Sequence, residues 1–162
     1  MMVELQILGL MVDPITNMPM LVLRDPRSDA QLPMWVGAFE ALAISNELER
    51  ITSPRPMTHD LLHNVIGELG ARVAKVVITD IQDNIFFAVL HLETPSGPRQ
   101  LDSRPSDAIA LALRSGAPMY ANADVLRRAQ DIDLARGHHG DSERIRHWLE
   151  SLGTEELGKY EQ

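Results

Sequence analysis

Apolar residues follow two different periods along this chain. Val3, Leu5 and Ile7 alternate with Glu4 and Gln6, the period-two pattern of a half-buried strand. The run stays apolar to Val12 and stops at Asp13-Pro14, a turn signal. Met20–Leu23 reads as a second strand after the turn Thr16–Pro19. Leu32–Val36 reads as a third, following the polar turn Arg24–Asp29, and Pro33 marks it as an edge because proline donates nothing to a ladder. The period then becomes helical. Phe39, Leu42, Ala43, Leu48 and Ile51 approximate one face of a helix over Ala38–Ile51. Pro54 and Pro56 enforce an extended link. Thr58 is placed to cap a second helix, whose Leu61, Leu62, Val65, Ile66 and Leu69 form a stripe expected to be buried, with Gly70 at its end.

Two strands, Arg72–Ile81 and Ile85–Leu92, flank the short loop Gln82-Asp83-Asn84 and predict a hairpin. After the turn Pro95–Pro98, Gln100-Leu101-Asp102 leads into the stretch that organises the chain. From Ala108 to Leu113 every residue is apolar, so this helix has no solvent face and belongs in a core. Pro105 suits its first position, Asp107 falls near the positive end of its dipole, Arg114 near the negative end, and Gly116 suits a left-handed cap. Met119–Ala121 is a candidate short strand, and a further helix runs to Gln130. The stretch Arg136–Asp141 reads as a linker, and Ser142–Leu152 as a one-faced helix bearing Trp148. The order lacks regular strand–helix alternation, so the expected class is α+β: an antiparallel or mixed sheet packed with helices around one buried short helix. Residues 1–132 are expected to form the domain, and 133–162 a linker and helical appendage.

Composition narrows the function classes. The chain of 162 residues has no Cys, which excludes disulfides and Cys-based metal sites. No apolar run approaches the ~18 residues of a membrane span, and the start lacks the features of a signal peptide, so a cytoplasmic protein is expected. The formal net charge of −8 works against non-specific nucleic-acid binding. Only Lys75 and Lys159 are lysines, so thirteen of the 15 basic residues are arginine, the better partner for phosphate or carboxylate.

Two helix starts share a design. Arg55-Pro56-Met57-Thr58-His59-Asp60 and Arg104-Pro105-Ser106-Asp107 each join Arg-Pro, a hydroxyl and an acid. Free N–H groups and a positive field at helix starts suit phosphate, and arginine adds a clamp. The same residues also serve as ordinary caps and dipole partners, which accounts for either stretch alone. The acids Glu40, Asp60, Asp102 and Asp107 lie near helix starts, where Glu40, Asp102 and Asp107 are candidates to hold Mg2+ or Mn2+. His59-Asp60-Leu61-Leu62-His63 imitates the zinc-protease signature, but Asp replaces Glu and no third ligand is evident. His138-His139 reads as a solvated loop, and His91 as a structural residue within a strand.

The segments Leu32–Ile44 (LPMWVGAFEALAI), Pro54–Leu62 (PRPMTHDLL) and Leu101–Tyr120 (LDSRPSDAIALALRSGAPMY) resemble the bifunctional nuclease family of bacteria and plants. The resemblance spans about Met1–Gln130, and the ending from Trp148 is similar to a tail of some bacterial members. It implies an α+β fold, a homo-oligomer, and hydrolysis of RNA and DNA. It assigns no nucleophile, base or metal. The residues themselves suggest His59, Asp60, Asp102 and Asp107 as catalytic, and Arg55, Thr58, Arg104 and Ser106 as phosphate-binding. The alternative is a non-catalytic oligomeric module that binds an anion or small ligand. Pro33, exposed edges, Phe39 and the Met-rich opening favour self-association.

Overall fold

The computed structural model describes residues 1–14 and 16–130. The expected C-terminal helix, His138, His139 and the appendage lie outside the described residues. The chain runs β1 (Met2–Val12), β2 (Pro19–Arg24), β3 (Gln31–Trp35), α1 (Ala38–Leu48), α2 (Thr58–Glu68), β4 (Arg72–Gln82), β5 (Ile85–Thr94), β6 (Gly97–Ser103), α3 (Pro105–Ser115), β7 (Met119–Asn122) and α4 (Ala123–Gln130). The fold is α+β. One 7-stranded sheet has the order β3-β2-β1-β7-β4-β5-β6, with β3 and β6 at its edges. All neighbouring pairs are antiparallel except β4 and β7.

That parallel pair explains why the chain needs α3. Helix α3 carries the chain from the edge strand β6 over the sheet to β7, which inserts between β1 and β4. A parallel neighbour requires such a crossover. One side of α3 lies on β4 and β5, and its other side is covered by α1 and α2. A helix walled in on both sides must be apolar all round, as its sequence is. Residues Ala108–Ala112 are at most 2% exposed, and Leu113 is partly buried. Burying Ile109 and Leu111 stabilises the fold by about 1.5–3 kcal/mol each.

Local chemistry sets the ends. Asp83 and Asn84, both at positive φ (49° and 63°), make the β4–β5 turn, the conformation that Asn and Asp tolerate best. Helix α1 is shorter than its apolar pattern suggests. Arg50 adopts φ 55°, and Arg50 N–H and Ile51 N–H close back onto Glu47 and Asn46 carbonyls, so the helix ends by a Schellman turn without glycine. Gly70 and Gly116 supply that left-handed residue (φ 72° and 67°) after α2 and α3.

The largest departure concerns α2. It packs against α3 and β4, yet none of its residues is buried. Leu61 is 57% exposed and Leu69 is 72% exposed, so most of the apolar stripe expected to be buried faces outward, and Ile66 alone of its five residues is half-buried against the core. Met57, not Thr58, is the N-cap, and Thr58 is the exposed first helical residue.

Ala110 has no exposed surface and touches packing on every side. Ala110→Asp is expected to cost about 3 kcal/mol or more, because a charge would be buried without a partner. Denaturant unfolding of the variant checks this, and a wild-type midpoint would show that α3 is not the core.

Candidate functional site

The three helices α1, α2 and α3 begin alike. Their N-caps are Gly37, Met57 and Arg104, none with a side-chain cap hydrogen bond. Each carries an acid at its third position: Glu40, Asp60 and Asp107. An acid there answers the unpaired N–H groups and the positive end of the dipole. Asp60 does so directly, since its Oδ2 accepts a hydrogen bond from Met57 N–H at 2.9 Å.

The acids also join the helices to one another. His59 Nε2 lies 2.8 Å from Asp107 Oδ1. Arg104 Nε donates to Asp107 Oδ2 at 2.8 Å, and Arg104 Nη2 donates to Glu40 Oε1 at 2.7 Å. The chain His59–Asp107–Arg104–Glu40 therefore runs through the starts of all three helices. The His59 side chain is mostly buried, at 11% exposed, whereas that of Arg104 is 67% exposed and faces solvent beyond its two carboxylates. Asp107 first, and then Glu40, holds the Arg104 guanidinium still more firmly protonated than usual. Gly37 makes room for this: a Cβ there would overlap the Glu40 carboxylate.

A second contact lies behind the first. Arg114 is almost fully buried, with a side chain 6% exposed. Its Nε donates to Asp60 Oδ1 at 2.7 Å, Nη1 to the Ala110 carbonyl at 2.9 Å, and Nη2 to the Ala43 carbonyl at 3.2 Å. One guanidinium thus ties α2, α3 and α1 together. Met57 N–H and Arg114, in that order, hold the Asp60 carboxyl below its ordinary pKa.

The two Arg-Pro helix starts meet through His59 and Asp107, and Glu40 and Arg104 join them. Asp60 faces Arg114 instead. Ser106 is buried in the first turn of α3. Arg55 and Asp102 are exposed, on the α1–α2 link and on the edge strand β6, and neither joins the network. Among the described residues, no three His, Asp or Glu side chains are grouped to hold a metal ion. Glu40 and Asp107 both bind Arg104, and Asp102 stands apart from them on β6. His59 binds Asp107, and His63 has a buried Nδ1 without a hydrogen-bond partner among the described residues.

Sequence reasoning read Arg114 only as a dipole partner. The signal was available: a cation fixed to an all-apolar helix cannot reach solvent freely and needs an acid nearby.

These features define an α+β domain whose helix starts share a His–Asp–Arg–Glu chain. Residues 21–133 match the family model described as the bifunctional nuclease domain, and the chain belongs to that family. It is similar to two proteins of Mycobacterium tuberculosis (strains CDC 1551 / Oshkosh and ATCC 25618 / H37Rv), both called uncharacterized. Each is 39% identical over 126 residues, which is 78% of this chain and 75% of theirs. It is also similar to Bifunctional nuclease 1 of Oryza sativa subsp. indica, at 29% identity over 98 residues, 59% of this chain and 30% of the rice protein.

Asp60 gives a pH prediction. A carboxyl whose folded pKa is depressed contributes stability above its unfolded pKa, near ~4, and that contribution is lost as pH falls through the folded value. Asp60→Asn should therefore lower Tm at pH 7, with the gap from wild type closing below about pH 4. Arg114→Ala should cost about 3 kcal/mol at pH 7, because it strands Asp60 and two carbonyls. Thermal and denaturant melts across pH test both, and a constant gap for Asp60→Asn would remove the ion pair as its cause.

Proposed function

We propose that this protein is a nuclease that hydrolyses phosphodiester bonds of RNA and DNA at the junction of α1, α2 and α3. The observation that carries this reading is the His59–Asp107 hydrogen bond of 2.8 Å, which joins the two Arg-Pro helix starts in a chain of this family. Asp107 orients the imidazole through Nε2, as a carboxylate does for a catalytic histidine, and leaves Nδ1 for the substrate. His59 Nδ1 takes a proton from a water as the water's oxygen attacks phosphorus. The bridging P–O bond breaks, and the leaving oxygen takes a proton from solvent. Arg104 and Arg55 hold the non-bridging oxygens, aided by N–H groups of the helix starts lined by Thr58 and Ser106. Glu40 and Asp107 position Arg104.

This assignment uses the acids to orient arginine, and so cleavage should survive EDTA. Loss of cleavage with EDTA and its return with Mn2+ would give the acids to a metal instead. His59→Ala and Arg104→Ala should each lower kcat/KM for single-stranded RNA and DNA by about 100-fold or more. Arg104 is largely exposed, so Tm of its variant should change little. His59→Ala also loses a contact that holds α2, so its cleavage is measured well below its own Tm. Undiminished cleavage by the purified double variant would favour the binding-module reading.

The outward stripe of α2 supports a homo-oligomer, with Leu61, Val65 and Leu69 buried against a second copy, since exposed apolar faces of this kind mark contact sites. No helix among the described residues is long and apolar enough to cross a membrane. A cytoplasmic location is part of this proposal and rests on the sequence expectation alone. Sedimentation at micromolar concentration should show more than one copy, and Leu61→Glu should return the monomer.

A further inference from the structure

A cavity of about 260 Å3 lies on the far side of Arg114 from the first turn of α3, between the second half of α2, the last turn of α3 and the start of β4. Its polar lining is His63, Arg72, Arg114 and Ser115, and its apolar lining includes Ile66 and Val73. The His59–Asp107–Arg104–Glu40 chain has no member in this lining.

Three observations point to an oxyanion. His63 Nδ1 is buried and has no hydrogen-bond partner, a state that costs free energy unless something fills it. Arg114 has five N–H groups, and its three hydrogen bonds use one on each nitrogen, which leaves two for a further acceptor. Arg72 stands at the rim, paired with Glu93 and largely exposed. The lining therefore offers the N–H donors of Arg72 and Arg114, and its one hydroxyl, on Ser115, already donates to the Leu111 carbonyl at 2.7 Å. The volume, below the ~300–1,000 Å3 of drug-sized pockets, suits a small molecule with one anionic head.

We propose that this cavity binds a small metabolite through a carboxylate or phosphate group, held by the unused N–H groups of Arg114 and, once its ring turns to the occupant with the proton on Nδ1, by His63. Because Arg114 also binds Asp60, one residue from His59, an occupant bears on the placement of α2. The site stands apart from the proposed nuclease chemistry and does not depend on it.

Gly67 allows a clean test. It lines the cavity, and a Cβ on it would meet no atom within 4 Å, so Gly67→Leu adds bulk beside the site without a backbone clash. His63→Phe keeps a ring and removes both nitrogens. The probes are inorganic phosphate and acetate, added separately to the full chain at constant ionic strength. The readout is the histidine ring-nitrogen resonances, which separate His63 from His59. With at least one probe, the wild-type His63 signal should shift along a saturating curve. Gly67→Leu should abolish that shift while its Tm stays at the wild-type value, and in His63→Phe the saturating protection of Tm by the same probe should disappear. Response to phosphate alone identifies a phosphoryl head, and response to acetate alone a carboxylate. A wild-type His63 signal that does not saturate with either probe overturns the proposal, as does a saturating shift that persists in Gly67→Leu. A response confined to His59 also overturns it, whatever the outcome of the cleavage assays.

Discussion

The placement of α2 depends on Arg114. Apolar burial normally fixes where a helix sits, but α2 buries none of its residues within this chain. What holds its start is polar: Asp60 on Arg114 at 2.7 Å and His59 on Asp107 at 2.8 Å. Arg114 can act as the anchor because α3 is itself fixed by the core. A guanidinium carried on a rigid, buried rod loses little further freedom on pairing, and its planar fork reaches an acid and two carbonyls on three helices at once. The same position makes the arrangement costly to break, since a guanidinium with a side chain only 6% exposed would lose its carboxylate partner.

The candidate site inherits its geometry from that anchor. With α2 set, His59 meets Asp107, and Asp107 in turn aligns Arg104 toward Glu40. Each acid sits in the first turn of its helix, at the positive end of the helix dipole. The network is therefore self-consistent without any ligand: two carboxylates share one guanidinium, and the histidine orders one of those carboxylates. Gly37 belongs to this design, because a Cβ there would overlap the Glu40 carboxylate in its present position.

Much of this was legible in the sequence, and the misses have physical causes. The all-apolar circumference of α3 announced a buried helix, and the Arg-Pro motifs announced two polar helix starts. The α2 stripe was misread because a 3.6-residue period shows that a helix has an apolar face and not what covers it. Strand β6 left only a weak trace: five of its seven residues are exposed, so it shows no alternation, and it belongs to the sheet through its ladder with β5 alone. Arg114 was seen and its role was not, since a last-turn cation satisfies the dipole rule whether it is solvated or buried. Long-range pairs such as Arg104 with Glu40, 64 residues apart, leave no local pattern at all.

The two Arg-Pro motifs look equivalent in sequence and are not equivalent in space. Proline restricts the residue before it to extended backbone, and Arg104 obeys with φ −68° and ψ 140°. Its side chain is then committed to Asp107 and Glu40, so its positive charge is largely answered before any substrate arrives. Arg55 is exposed on the link before α2 and pairs with no acid among the described residues. In a chain of net charge −8, an approaching phosphate meets a repulsive average field, and the cations that matter are those not already neutralised. On this reasoning Arg55 supplies attraction and Arg104 supplies orientation. The difference arises from one feature of the fold: β6 delivers Arg104 between the acids of α1 and α3, while the α1–α2 link leaves Arg55 in solvent.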